Sequence, residues 1–292
     1  MRLMSKISLF ISILMCSIAF AQSSSLFFQE TRQLPSDLEV GGDLAGLPPE
    51  STRYITRENL LALPQVNFVA KNDTNFTGAT TISGVKLEEL ARRLGASSAA
   101  DLVVAICDDG YRANYPRAYI AAHRPVLVLN VNGKPPAGWP KDAQNHEFDM
   151  GPYMISHPNF TPSFKILSHV DEAQIPWGVV RIEFRDEKVV FGAIAPRVPH
   201  ARDPHVRDGY LIARQNCFRC HNAGREGGIK SGRSWQSLAE MASKSPGAFA
   251  AYIRDPSVSN PNAHMPANPQ YDGATIAALT AYFQTFSGQT KP

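Results

Sequence analysis

Cys217, Cys220 and His221 are the residues best placed to do chemistry, in the run Asn216-Cys217-Phe218-Arg219-Cys220-His221. Cysteines at i and i+3 stand on one side of a helical turn. From there both sulfurs can form thioethers with the two vinyl groups of one porphyrin. His221 then falls beneath the ring with an imidazole nitrogen aimed at iron. This is the attachment pattern of a c-type haem. A redox cysteine pair is the first rival, but it favours a strand–helix setting, and the surroundings here read as helical. Half of a zinc site is the second, but zinc needs two further ligands at pair spacing, and none follows.

Iron held by His221 needs a second axial ligand. Met265 is the candidate, in Pro261-Asn262-Ala263-His264-Met265-Pro266. Pro266 blocks a helix through that point and keeps the loop extended. A thioether opposite histidine raises the reduction potential and leaves no open site for substrate. His264 is the alternative ligand. Met241, in Leu238-Ala239-Glu240-Met241, has a helical context and is expected to pack in a core.

The elements around the motif read as helices: 209–216, 235–242, 247–254 and 273–286. About 80 residues of helix are small for an unaided core, and a covalently held macrocycle would supply an apolar centre. Residues 207–287 resemble a class I cytochrome c domain. The resemblance rests on a first helix with Gly209, the Cys217–His221 attachment, the Met265-Pro266 loop and a last helix holding Ala278, Leu279, Ala281, Tyr282 and Phe283. It implies one-electron transfer between protein partners. It also implies crossed first and last helices, with Gly209 meeting Tyr282 or Phe283.

The rest of the chain has a different texture. Residues 1–21 read as a secretory signal: Arg2 and Lys6, the apolar run Ile7 to Phe20, and the cleavage pattern Ala19-Phe20-Ala21. The run is short for a bilayer-spanning helix, which needs about 20 residues. Export to a Gram-negative-type periplasm follows, with no membrane span in the mature chain. Cleavage removes Arg2, Lys6 and no acid, so 29 Lys+Arg become 27 against 26 Asp+Glu. That balance argues against nucleic acid as a partner. Cys16 leaves with the signal. Cys107, in the apolar run Leu102-Val103-Val104-Ala105-Ile106-Cys107, remains without a partner and reads as a buried, inert thiol.

Residues 22–50 read as loop. A short helix is expected after Thr56, a strand at Val66–Ala70, a helix from Val85 to Leu94 capped by Ser83 and stopped by Gly95, and strands at Leu102–Ile106 and Pro125–Val131. Trp177–Phe184 and Lys188–Phe191 read as a hairpin around Arg185-Asp186-Glu187. The stretch 193–206, with its prolines, His200 and His205, reads as a linker. The fold class expected is α+β: a mixed N-terminal domain over 22–192, then a small all-α domain over 207–292.

Several pieces of the N-terminal part resemble the molybdopterin-binding domain of sulfite-oxidase-like enzymes. They are Ser83 to Leu90, Asp109-Gly110-Tyr111, Leu127 to Gly133, Gly151 to Ile155, and Trp177 with Val179 to Ile182. The family binds molybdenum through a cysteine upstream of the Gly-Val-x-Leu helix, and residues 22–83 contain no cysteine. Molybdenum chemistry is hard without the soft thiolate. The resemblance therefore implies a fold and not the activity or the molybdopterin cofactor.

Other polar residues carry weaker readings. Arg112, Tyr115 and Arg117 could frame an anionic pocket or form a solvated strand edge. His146, His157 and His169 could gather on a metal, or occupy separate surface positions. The leading expectation is a periplasmic electron carrier with one covalent haem c, transient redox-protein partners and an N-terminal docking or scaffold module. The alternative is a molybdopterin oxidoreductase with a fused cytochrome outlet. A haem sensor or peroxidase would need Met265 off the iron.

Overall fold

The computed structural model describes residues 28–48, 50–71, 73–141, 149–158 and 172–288. The predicted signal segment, His146 and His169 lie outside the described residues. The class is α+β, built on one large mixed sheet with a layer of helices at the C-terminal end.

The strands are β1 (Leu38–Gly42), β2 (Thr52–Ile55), β3 (Val66–Ala70), β4 (Thr80–Lys86), β5 (Leu102–Cys107), β6 (Arg112–Pro116), β7 (Val126–Val131), β8 (Tyr153–Ser156) and β9 (Trp177–Arg185). Their order is β2-β1-β9-β8-β7-β4-β3, and β5 joins β9 to β6 off this path. One edge of β9 carries β5. The other is shared by β8 at its start and β1 at its end, where β1 runs parallel. Nine residues of β9 thus join three strands, and Val179, Ile182 and Phe184 are fully buried.

Strand alternation divides the core. Val103, Ala105 and Cys107 of β5 face one cluster with Tyr115, Tyr119, Ile182 and Phe184. Leu102 and Val104 face the opposite side and pack with the C-terminal helices. Period-two geometry makes one strand serve both layers.

Local signals hold at several ends. Thr56 caps α1 (Arg57–Leu61) by accepting from the Asn59 N–H at 3.2 Å. Gly95 ends α2 (Leu87–Leu94) in the left-handed region, φ 72°. Ser83 does not cap that helix. It lies inside β4, with a bulge between Ser83 and Gly84, and the helix starts at Leu87. The close approach of the Leu127 carbonyl to Gly84 leaves no room for a Cβ there.

Five strands fall where none was expected. β1 and β2 lie in or just after the stretch read as loop, β4 takes the place of the expected helix start, and β6 and β8 are pinned by sheet neighbours. The expected hairpin after Trp177 is a strand followed by α4 (Glu187–Gly192). The Asp186 carboxylate accepts from the N–H groups of Lys188 and Val189 and starts a helix instead of a turn. Between β6 and β7 stands α3 (Arg117–His123).

The C-terminal layer holds α5 (Pro204–Asn216), α6 (Trp235–Lys244), α7 (Pro246–Arg254), α8 (Pro256–Ser259) and α9 (Gly273–Gln284). α5 starts earlier than expected, because Asp203 caps it and Pro204 takes the first helical position. α5 and α9 cross at Gly209, whose missing Cβ makes room for the Ala278 carbonyl and for Tyr282. The stretch 193–206 is packed into this layer: Ile194 and Val206 are buried, and the Tyr282 hydroxyl donates to the Ile194 carbonyl at 2.5 Å. No helix among the described residues is long and apolar enough to cross a membrane.

Candidate functional site

α5 delivers the cysteine–histidine run. Its last turn continues past Asn216: the Cys217 N–H donates to Ala213, and the N–H groups of Cys220 and His221 both donate to the Cys217 carbonyl, at 3.1 and 3.0 Å. Cys217, Cys220 and His221 therefore share one turn. Phe218, fully buried between them, anchors the turn in the aromatic core beside Phe191 and Trp235. The chain then folds back, and the Gly228 N–H donates to the Phe218 carbonyl at 2.9 Å. Gly227 (φ 84°) packs so closely on the Phe218 ring that a side chain would not fit.

His221 is oriented by one bond. Its Nδ1 lies 2.7 Å from the Arg233 carbonyl, which can only accept, so Nδ1 carries the hydrogen. The lone pair is then on Nε2. Burial holds the imidazole below its ordinary range, so the ring is neutral at neutral pH. Neutral imidazole with a fixed tautomer is the ligating form.

Neither Cys217 nor Cys220 is in a disulfide. Burial pushes the Cys217 thiol up to about 12 and raises that of Cys220. Zinc would need further ligands beside the two thiols, and no cluster of three or more potential ligands occurs among the described residues.

Met265 is half-buried and packs on the same core as Phe218 and Trp235. Its loop is tied by Asn268, whose side chain donates to the carbonyls of Ile253 and Pro266. His264 beside it is exposed. Met241 packs from α6 onto the core, and its sulfur lies 3.8 Å from an Arg233 nitrogen.

The other expected residues do not converge. Tyr115 is fully buried on the far face of the sheet and donates to the Gln174 carbonyl at 2.8 Å. Arg112 faces the helical layer and pairs with Glu226, and Arg117 donates to the Ser98 carbonyl. They frame no anionic pocket; Arg117 is exposed just past the edge strand β6, while Tyr115 is buried. His157 is buried, not at the surface, with Nε2 2.9 Å from the Tyr119 hydroxyl. His200 and His205 are exposed. Cys107 is buried at the end of β5, and its burial raises the thiol far above its ordinary range.

One set of residues escaped the sequence reading. The β5–β6 turn lies against the cysteine–histidine turn. The Arg112 N–H donates to the Arg219 carbonyl, and the Ile229 N–H to Gly110, both at 2.9 Å. Lys230 pairs with Asp109 at 2.5 Å and Arg219 with Glu172 at 3.5 Å. The Tyr111 side chain lies near Arg219. The partners are 47 to 121 positions apart, and no local pattern marks them.

No family model matches the chain. No curated protein matches it either. Among solved structures, the chain is similar to the sulfane dehydrogenase SoxCD from Paracoccus pantotrophus, with 14% identity and a TM-score of 0.33, over 59% of this chain and 45% of that one. This chain thus spans less than half the length of that one. At such a score the likeness carries no argument.

Proposed function

We propose that this protein is a c-type cytochrome that transfers single electrons through one haem, bound covalently to Cys217 and Cys220. His221 is its proximal iron ligand and Met265 its distal one. The haem would belong to a C-terminal unit over 207–292. The N-terminal part, over 22–192, serves as a sulfite-oxidase-like docking or scaffold module. The protein is exported by the segment 1–21 and meets its redox partners transiently, outside the cytoplasm.

One observation carries this reading: two unbridged cysteines share a helical turn with a histidine whose Nδ1 is already committed to the Arg233 carbonyl. The zinc alternative wants further ligands, and the described residues gather none. A haem held here supplies reversible one-electron chemistry at its iron. The chain's own residues do the rest. Cys217 and Cys220 fix the ring in position, and Arg233 orients His221. Phe218 and Trp235 keep water from the buried side, and Asn268 holds the Met265 loop.

Molybdopterin does not fit. The upstream cysteine is missing, and Cys107 is a buried protonated thiol beyond the helix that should follow such a ligand. No step is assigned to that cofactor.

The deciding experiment is intact-mass and optical analysis of protein made in a periplasm with haem-attachment machinery. The expected result is one haem of added mass, one iron per chain, a methionine–iron charge-transfer band and no molybdenum. A mature chain with the mass of the bare polypeptide overturns the proposal.

A further inference from the structure

We propose that Arg219, held by Glu172 and Arg112 of the N-terminal part, sets the reduction potential of the haem, so that the N-terminal part tunes the electron carrier as well as scaffolding it. The inference rests on the haem reading above.

Arg219 lies in the attachment run itself, one residue before Cys220 and two before His221. Its side chain turns away from solvent and toward the N-terminal part. The side chain is 15% exposed and its guanidinium meets Glu172 at 3.5 Å. Its Nε is buried with no hydrogen-bond partner. One carboxylate at the long end of the range leaves this positive charge incompletely balanced. The backbone is tied as well, through the bond from Arg112 N–H to the Arg219 carbonyl. The charge is therefore held at one place beside the tether.

Adding an electron to a haem makes it less positive by one unit. A nearby fixed cation favours the reduced state, and a carboxylate favours the oxidised one. In a water-poor setting such charges act with little screening. Arg219 and Glu172 should therefore move the potential in opposite directions. Lys230 and Asp109 form a second cross-pair of the same polarity, but at 36% and 37% exposure solvent screens it. The structure thus contains its own control.

The test is a redox titration of haem-loaded full-length protein, with haem content and the charge-transfer band measured on each variant. Arg219→Gln should shift the electron-transfer equilibrium about tenfold toward the oxidised form, a fall of ~59 mV for a one-electron couple. Arg219→Lys should restore most of it. Glu172→Gln should raise the potential, and Lys230→Gln should lower it by less than Arg219→Gln. A merely structural role for Arg219 would not give shifts of opposite sign. If Arg219→Gln fails to mature, the rise in Glu172→Gln decides. Unmoved potentials, or shifts of the same sign, in variants with a full haem complement overturn the proposal alone. A wild-type chain without haem overturns it together with its premise.

Discussion

Gly209 and Tyr282 meet where α5 and α9 cross: a Cβ on Gly209 would lie 2.6 Å from the Cβ of Tyr282 and would collide with the Ala278 carbonyl. The two helices can approach this closely only with a hydrogen at that position. Gly209→Ala must push them apart and disturb the buried cluster of Trp235, Tyr282 and Phe283. The expected loss is about 1–3 kcal/mol, as for other overpacked cores. Thermal unfolding of the variant against wild type measures it, and an unchanged midpoint would show that the helices cross elsewhere.

Tyr282 makes a second long-range tie. Its buried hydroxyl donates to the Ile194 carbonyl, holding the stretch after α4 against the last helix. Tyr282→Phe keeps the ring packing and leaves that carbonyl without its donor. The cost expected is about 1–3 kcal/mol, the penalty for a buried unsatisfied polar group. Denaturant titration reads it directly. Limited proteolysis should find new cleavage between 193 and 206.

Met265 and Met241 both pack on the C-terminal core, but only Met265 sits in a loop free of helical hydrogen bonding. Met265→Ala should abolish the methionine–iron band and lower the potential of the haem protein. Met241→Ala should leave both intact. The reverse pattern would assign the distal position to α6.

His157 predicts an acid sensitivity. Burial, aided by the nearby His123, lowers its pKa to about 3, while an unfolded histidine titrates near 6.5. Between these values the unfolded chain binds the extra proton. The stabilisation is therefore complete above about pH 6.5 and is lost progressively as pH falls toward 3. It amounts to a few kcal/mol, on the order of 1.4 per unit of pH. Unfolding free energy measured from pH 7 to pH 4 should fall more steeply for wild type than for His157→Gln. Parallel profiles would remove His157 from the account.

Much of the C-terminal layer was legible because its signals are short-range. Helical apolar spacing and a cysteine–histidine turn act within four residues, and hydrogen bonds at that spacing form with little help; the Asp203 cap and Pro204 lie in the stretch that reads as linker instead. α6, α7 and α9 fall within two residues of their expected ends. The meeting of Gly209 with Tyr282 or Phe283 was expected only from the resemblance to cytochrome c domains, and the structure places it at Tyr282.

The attachment run, the export signal expected at 1–21, the missing upstream cysteine and the near-balanced charge are properties of the sequence by itself. Tertiary structure alone decided the rest. β1 is a strand because β9 offers it hydrogen bonds across more than a hundred residues, and β2 in turn pairs with β1 at the sheet edge. Tyr115 is buried because the sheet turns its face away from Arg112, and Arg219 gained the Arg112 N–H because the β5–β6 turn docks on the cysteine–histidine turn. Short-range order is written in neighbouring side chains. The partner of a strand edge or of a buried charge is chosen by whichever distant segment completes its hydrogen bonds, and no local spacing encodes that choice.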